Sequence, residues 1–349
     1  MELIVTYLVS QNVDNLVDTK DDHPVQWRTG RDPLSDEAWA KLDEHPLPDS
    51  LLTNGIATRL GVVYSSPPGY RPLELDLYLP DEPSVGVMAR RPAIVWIHGG
   101  AFAMGSKRLL PGFLSENDFF VRLARAGFVV ASIDYRLSAE ALWPAQVIDV
   151  RAAIRWMRSR AEELALDPSS IAVWGESAGG NLAAIAGVLG SQEFEGDARH
   201  ELPEVAAVVD WYGPTDFAAM DRQAPANSAM QHDDAESPES RLLGAPIQDV
   251  PDLVRAADPA SYVRRDSPPM LIRHGRIDRL VPFGQSEAFA AALERAGSTV
   301  RFRPVDNADH VFGGHPDPWI FVEEAIEFLR EVLPAHANEG ASNDKVGTN

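Results

Sequence analysis

The sequence predicts an α/β protein with a doubly wound, mostly parallel sheet flanked by helices. Short, unbroken apolar runs recur along the chain, at 93–97, 128–133, 171–174, 205–209 and 270–272. Unbroken rather than alternating apolarity indicates strands that are covered on both faces, as in a parallel sheet between helices. Helical patterns separate these runs, and strands that alternate with helices favour a doubly wound sheet.

Individual elements follow from their periodicity. The segment from Leu73 to Leu79 alternates apolar and polar residues, which predicts a half-exposed antiparallel strand. A helix is predicted around residues 147–164, with Arg151 and its neighbouring arginines facing solvent. Two further helices are predicted, one over 286–296 that ends at Gly297 and one over about 318–332.

The chain divides into three parts by composition, the second of which contains an irregular insertion. Residues 1–58 are mixed and repeatedly broken by proline, and we interpret them as an N-terminal extension that packs on the domain or forms a cap. Residues 59–334 carry the regular α/β pattern. Within them, about 214–268 are rich in proline, aspartate and serine, which predicts a lid-like insertion. The polar tail 335–349 is predicted to be disordered.

Composition excludes several functions. Acidic residues outnumber basic ones 52 to 31, for a net charge of −21, so nucleic acid and anionic lipid are not expected as partners. The absence of cysteine excludes disulfides, thiol catalysis and cysteine-ligated metals. The sequence has no uninterrupted run of 18 apolar residues, so no membrane span is expected. The N-terminus lacks the basic start of a signal peptide. We therefore expect a cytoplasmic protein.

The motif GESAGG at 175–180 lies between a predicted strand and a predicted helix. A tight strand-to-helix turn lifts its central residue, Ser177, above the sheet, and Gly175 and Gly179 leave room for that turn. The N-terminus of the following helix offers free N–H groups to a developing oxyanion. A glycine-rich packing turn is the alternative interpretation, but the strand–turn–helix context favours a nucleophilic serine.

The motif HGGAF at 98–102 follows the predicted strand at 93–97. A glycine-rich loop at this place brings bare backbone N–H groups close to a reacting carbonyl. A phosphate-binding loop is disfavoured, because Ser106-Lys107 reverses the required Lys-Ser/Thr order and Pro111 interrupts a following helix.

An acid and a base are expected after the serine in the chain. Asp278 follows the strand predicted at 270–272, and His310 follows a strand predicted at 300–305. Loops after parallel strands meet at one edge of an open sheet, where catalytic groups are expected. Three other aspartates are rival acids: Asp210, Asp216 and Asp309. Among the other histidines, His98 and His274 are interpreted as structural, and His232 and His315 have no metal-site spacing.

Together these residues resemble the hormone-sensitive-lipase-like and ferulic-acid-esterase-like carboxylesterases of the α/β-hydrolase superfamily. The resemblance covers about 59–334, as the catalytic domain, and depends on HGGAF, DYRLSAEALWPAQVIDV, GESAGGNLA, HGRIDRLVP and DHVF. It implies a triad of Ser177, Asp278 and His310. It also implies an oxyanion hole formed by the N–H groups of Gly100, Ala101 and Ala178, and structural support of the serine turn by Tyr135 and Asp149.

Ala101 departs from the family pattern, since many relatives have a third glycine there. Alanine keeps the N–H but has less conformational freedom, so activity on hindered alcohols is in doubt.

The sequence thus predicts a serine esterase for short to medium acyl or aromatic esters, with no metal or cofactor and a small-molecule ester as its partner. A homodimer is a further expectation. Four aromatic residues are predicted pocket walls: Phe102, Trp211, Phe283 and Phe312. A serine peptidase or amidase, a lactonase, and a non-catalytic binding protein on the same fold are the alternatives.

Overall fold

The computed structural model describes residues 46–80, 90–190 and 204–333, and every structural statement below refers to these ranges. Most of the predicted N-terminal extension and the whole predicted tail lie outside the described residues. The sequence around Ser35, with serine as a possible helix cap, also suggests a short helix, which lies outside the described residues.

A single nine-stranded sheet organises the described chain, in the order β1-β2-β3-β5-β4-β6-β7-β8-β9. Every pairing from β5 and β4 through β9 is parallel, whereas β1, β2 and β3 are added antiparallel at one end. The predicted mostly parallel sheet is therefore confirmed. The strands are β1 Leu51–Thr53, β2 Ile56–Ser65, β3 Leu73–Leu79, β4 Arg91–Ile97, β5 Val129–Ile133, β6 Leu166–Glu176, β7 Ala207–Trp211, β8 Met270–Gly275 and β9 Val300–Val305.

Helices cover both faces of this sheet, and each face has its own apolar core. The helices are α1 Glu116–Arg125, α2 Ala145–Ser159, α3 Ala178–Leu189, α4 Met220–Gln223, α5 Pro238–Leu243, α6 Pro251–Ala257, α7 Gly284–Ala296 and α8 Trp319–Val332. Helices α2 and α3 pack with the core that contains Val95 and Val173. Helices α1 and α8 pack with the core that contains Trp96 and Trp174. Within the described ranges, none of these helices is long and apolar enough to cross a membrane.

Two predictions of exposure are wrong. Strand β3 has the predicted bounds, but Asp76 and Tyr78 on its supposed solvent face are buried. The Arg108 guanidinium covers Asp76 at 3.0 Å, and the Phe120 ring packs 4.8 Å from that of Tyr78. Arg151 on α2 is also buried rather than facing solvent. The error in β3 arises because Arg108 and Phe120, which are distant in sequence, cover a face whose alternating pattern predicts exposure.

Residues 214–268 form short helices and turns beside the carboxyl end of β7. Their interior is packed, since Phe217, Leu242 and Ile247 join the apolar core. The insertion also binds the rest of the domain through its backbone, for example where the Trp143 N–H donates to the Leu242 carbonyl at 2.9 Å. At the N-terminal boundary of the predicted catalytic domain, β1 and the start of β2 precede Arg59. The sheet therefore includes residues that the sequence analysis assigns to the N-terminal extension.

Candidate active site

Ser177 occupies the turn between β6 and α3, with φ 53° and ψ −122°. This left-handed backbone is unfavourable for a residue with a Cβ, so surrounding contacts must hold it. A Cβ on Gly175 would lie 2.0 Å from the Gly179 carbonyl oxygen, and one on Gly179 would lie 2.1 Å from that of Ile97. Glycine is therefore required at both positions for the strands and helix to approach this closely.

Asp278 and His310 lie beside Ser177, although they come from the loops after β8 and β9. The Ser177 hydroxyl Oγ is 3.0 Å from His310 Nε2. His310 Nδ1 is 2.7 Å from Asp278 Oδ2. The structure thus brings together, in hydrogen-bonding order, the three side chains that the sequence singles out as nucleophile, base and acid.

The charges of this group are set by burial and by each other. Burial by itself favours the neutral forms, but His310 and His274 beside Asp278 hold the pKa of this carboxyl well below its usual range. Burial also opposes a charge on His310, yet the neighbouring Asp278 outweighs it and raises the His310 pKa. The second oxygen of Asp278, Oδ1, accepts the N–H groups of Leu280 and Val281, both at 2.8 Å. Asp278 is therefore a fully paired, ionised carboxylate.

The three rival aspartates are engaged elsewhere. Asp309 Oδ2 binds Arg279 Nε at 2.7 Å, and its Oδ1 accepts the N–H of His310 at 2.8 Å. Asp210 accepts the Gly213 N–H at 2.9 Å, and burial raises the pKa of this carboxyl to about 6. Asp216 is tied through its backbone to Gln285. Asp278 is the carboxylate bonded to His310 Nδ1.

The glycine-rich loop after β4 faces the same turn. Gly100, Ala101 and Phe102 all have positive φ, of 102°, 56° and 60°. In the described chain, the N–H groups of Gly100, Ala101 and Ala178 donate no hydrogen bond, whereas the Ser177 N–H donates to the Trp211 carbonyl at 2.9 Å. Of the residues in the serine turn, Ala178 rather than Ser177 keeps a free backbone donor.

Glu176 holds this loop against the serine turn, a role that the sequence analysis missed. Its buried Oε1 accepts the Gly99 N–H at 2.9 Å, and burial raises the pKa of its carboxyl. A Cβ on Gly99 would lie 2.3 Å from this oxygen. The only sequence signal is position, because Glu176 is the variable residue inside G-x-S-x-G.

Three further side chains have supporting positions near these loops. The His98 ring stacks on Tyr135 with centroids 4.3 Å apart, and the Tyr135 hydroxyl donates to the His98 carbonyl at 3.0 Å. Burial lowers the pKa of His98 to about 4, so its ring is neutral at physiological pH. Asp149 Oδ2 accepts a hydrogen bond at 2.8 Å from Nε of Arg136, the residue that follows Tyr135 in the chain.

The four predicted pocket residues differ in their surroundings. Trp211 and Phe312 are buried in the aromatic core, with ring centroids 5.3 Å apart, and offer almost no surface to a ligand in this structure. Phe102 is buried as well and packs edge-on against Phe217. Phe283 is half-buried and stacks on Phe302 at 5.6 Å.

The insertion contacts the loop that carries Asp278, which the sequence did not predict. The Ala229 N–H donates to the Arg279 carbonyl at 2.8 Å, and His232 Nε2 lies 2.9 Å from the Leu280 carbonyl oxygen. His232 Nδ1 lies 3.1 Å from the buried carboxylate of Glu239. Residues of the insertion thus hold the backbone carbonyls of Arg279 and Leu280, directly after Asp278 in the chain.

This sheet, with the Ser177 turn after β6 and with Asp278 and His310 after β8 and β9, is that of an α/β-hydrolase of the carboxylesterase kind. The BD-FAE family model matches residues 75–293, and the chain belongs to this family. The family resemblance seen in the sequence is therefore confirmed.

Known proteins agree with this assignment. The esterase LipQ of Mycobacterium tuberculosis is 32% identical over 249 residues, which are 70% of this chain and 55% of LipQ. The chain spans about half the length of the mycobacterial relatives LipQ, LipC and LipM.

Two solved structures show the same fold. A truncated carbohydrate esterase from gut microbiota has 33% identity and a TM-score of 0.65, over 78% of this chain and 95% of that one. Esterase 2 of Thermogutta terrifontis with butyrate bound has 28% identity and a TM-score of 0.61, over 84% of this chain and 98% of that one.

Proposed function

We propose that this protein is a serine carboxylesterase that hydrolyses short to medium acyl or aromatic esters through an acyl-enzyme intermediate. One observation carries the proposal. The Ser177 hydroxyl, the His310 imidazole and the Asp278 carboxylate are joined by contacts of 3.0 and 2.7 Å beside unpaired backbone N–H groups. A nucleophile, a general base and an orienting acid in this order perform acyl transfer.

In the proposed reaction, His310 Nε2 takes the Ser177 proton as Oγ attacks the ester carbonyl, and later gives a proton to the departing alcohol. Asp278 fixes the imidazole with its proton on Nδ1 and stabilises the imidazolium. Water then attacks the acyl-enzyme by the same route and releases the carboxylic acid. The negative oxygen of each tetrahedral intermediate is assigned to the N–H groups of Gly100, Ala101 and Ala178, and one such donor is typically worth about 2.7–4 kcal/mol.

Two relatives support the substrate class. The Thermogutta terrifontis esterase 2 binds butyrate, a short-chain acid, and the gut-microbiota relative is a carbohydrate esterase. A panel of p-nitrophenyl esters of increasing acyl length, aryl esters, lactones and acetylated sugars therefore measures selectivity. We expect the highest kcat/KM on a short or medium acyl chain or an aryl ester. An optimum on palmitate, or preferential amide or lactone turnover, would contradict this substrate class.

Ser177→Ala tests the mechanism, because it removes the nucleophile and leaves a smaller side chain. We expect kcat to fall at least about 10³-fold. A fluorophosphonate probe should label Ser177 in the folded wild-type protein and leave the variant unlabelled. Near-normal turnover in the variant would refute the assignment, and an unlabelled wild-type protein without esterase activity would favour a binding function.

The cytoplasmic location and the homodimer remain predictions. Light scattering of the full chain during size-exclusion chromatography would measure the oligomeric state.

A further inference from the structure

His274 is a fully buried histidine next to the proposed triad that the mechanism above does not use. It lies near the end of β8, four residues before Asp278. Its Nε2 is 3.2 Å from Asp278 Oδ2 and 2.9 Å from the Val281 carbonyl oxygen. Its Nδ1 is 2.7 Å from the hydroxyl Oγ of Ser286 on α7. Asp278 Oδ2 therefore lies between two imidazoles, those of His274 and His310.

The partners of His274 define which of its nitrogens carries the proton. Nε2 faces two oxygens that can only accept, the carbonyl of Val281 and the ionised carboxylate of Asp278. A proton on Nε2 satisfies both, whereas a lone pair there would be repelled by both. Nδ1 then accepts from Ser286, whose hydroxyl is able to donate. This assignment follows from the hydrogen-bond network, as it must where hydrogens are not seen.

We infer that His274 is a positioning residue, which donates from Nε2 to Asp278 and thereby sets both the orientation of this carboxylate and the basicity of His310. The inference rests on the proposed triad. It extends the triad to a continuous chain of contacts from Ser286 Oγ through His274, Asp278 and His310 to Ser177 Oγ.

The electrostatic reason lies in how the Asp278 oxygens are shared. Oδ1 already accepts two backbone N–H groups, so Oδ2 is the oxygen that meets His310. A second donor on Oδ2 withdraws part of its negative charge from His310. Without this donor, Oδ2 attracts the His310 proton more strongly, and the pKa of His310 rises. The carboxylate also loses one of the contacts that fix its rotation.

Other ionisable groups around the two histidines must stay unchanged for this effect to be read. Asp210 and the Tyr212 ring face His274, the latter with centroids 6.5 Å apart. Glu176, Tyr212 and Asp309 surround His310. None of these residues is altered in the variants below, and each is present in the wild-type reference.

Three variants separate hydrogen bonding from packing. His274→Phe keeps a buried ring but removes both nitrogens, and His274→Gln keeps an N–H donor near the position of Nε2. Ser286→Ala keeps His274 but removes the donor that fixes its tautomer. The measurement is the pH profile of kcat/KM for p-nitrophenyl acetate, with kcat counted per active site by burst titration.

We expect His274→Phe to lower kcat about tenfold with little change in KM, since a hydrogen bond to a charged group is lost. The acid limb of the profile, where neutral His310 is required, should move to higher pH. His274→Gln should keep the acid limb near the wild-type position. Ser286→Ala should move it in the same direction as His274→Phe, with a smaller loss of kcat of about threefold.

An unchanged acid limb in correctly counted His274→Phe would overturn the inference, because a packing role alone lowers stability or the fraction of active enzyme. If this variant does not fold, ¹⁵N NMR of histidine in the wild-type protein provides the test. A proton on Nε2 of His274 supports the inference, and one on Nδ1 alone refutes it. Failure of the proposed function is a separate result, since the wild-type protein would then lack esterase activity.

Discussion

The two sides of the candidate site are held together differently. The nucleophile side comprises the loop 98–104 after β4 and the turn 175–179 after β6, and the acid–base side comprises the loops 276–283 after β8 and 306–314 after β9. On the nucleophile side, backbone packs directly on backbone through Gly175 and Gly179, and the buried Glu176 carboxylate adds one side-chain contact to Gly99. On the acid–base side the two loops also contact each other through backbone, but charged side chains add connections, for example between Arg279 and Asp309 at 2.7 Å.

This difference teaches which changes each side tolerates. A site held by close backbone contact has no room for added atoms, and strain is not relieved by rotating a side chain. A site held by polar side chains tolerates changes of volume better than the loss of a donor, an acceptor or a charge. The following predictions test this comparison, from the largest expected effect to the smallest.

The acid–base side should be most sensitive at Asp278. In Asp278→Asn, the amide no longer holds the His310 proton on Nδ1, and we expect kcat to fall about 10⁴-fold. Asp309→Asn is the matched control, because its amide oxygen can still accept from the backbone of His310 and Arg279. We expect it to lower kcat by about tenfold or less. Steady-state kinetics on both variants measures the loss of kcat. A larger loss in Asp309→Asn than in Asp278→Asn would show that Asp309, and not Asp278, is the acid.

The nucleophile side should be most sensitive to a single methyl group. Gly179→Ala places a Cβ 2.1 Å from the Ile97 carbonyl oxygen. Overpacking of this kind typically costs about 1–3 kcal/mol, and we expect the free energy of unfolding to fall by about 3 kcal/mol. A displaced Ser177 should also lower kcat about 10²-fold.

Gly112→Ala is the control for added volume. No atom lies within 4 Å of its Cβ position, and the residue is exposed. We expect a change in the free energy of unfolding within about 0.5 kcal/mol, measured by urea denaturation. Equal stability of the two alanine variants would show that the serine turn adjusts more freely than the backbone contacts suggest.

The smallest expected effect concerns the pair of His232 and Glu239 in the insertion. Burial opposes a charge on His232, but Glu239 at 3.1 Å outweighs it and raises the pKa of His232. A raised folded-state pKa stabilises the protein fully below the unfolded value, near 6.5, and this stabilisation is lost as the pH rises through the folded value. His232→Gln keeps a donor to Leu280 but does not titrate.

The free energy of unfolding should therefore differ more between wild type and His232→Gln at pH 5.5 than at pH 9, by on the order of 1 kcal/mol. Glu239→Gln should remove the same pH dependence. Thermal denaturation across this pH range measures both variants. If the difference in the free energy of unfolding between wild type and His232→Gln grew with rising pH, the prediction would be wrong.

The sequence was sufficient for those features that local patterns encode. Unbroken apolar runs located the parallel strands, and ordered motifs predicted the family and the residues from which the site is built. Other features depend on partners distant in the chain. Glu176 binds Gly99 across 77 positions, and Asp76 is buried by Arg108 across 32. Neither contact leaves a periodic signal, so the alternation in β3 suggested an exposed Asp76, and the role of Glu176 was missed.

The partners of the buried histidines could not be predicted from the sequence either. His98, His232 and His274 are all buried, but each has different partners and a different role in the loops. The spacing of His232 indicated no metal motif, yet chain spacing contains no information about a carbonyl or carboxylate folded against a histidine ring. His274 was interpreted as structural because it precedes the acid in the chain. Its distance of 3.2 Å from Asp278 became known only once both loops were in place.

The direct backbone contact between the serine turn and the end of β4 has a mechanical consequence. Because no side-chain layer separates Gly179 from the Ile97 and His98 carbonyls, rotamer changes cannot alter the spacing between the serine turn and the end of β4. The serine turn and the end of β4 therefore form one unit, whose spacing is set once the domain has folded. Any adjustment to substrates of different shape is therefore left to side chains and loops outside this unit.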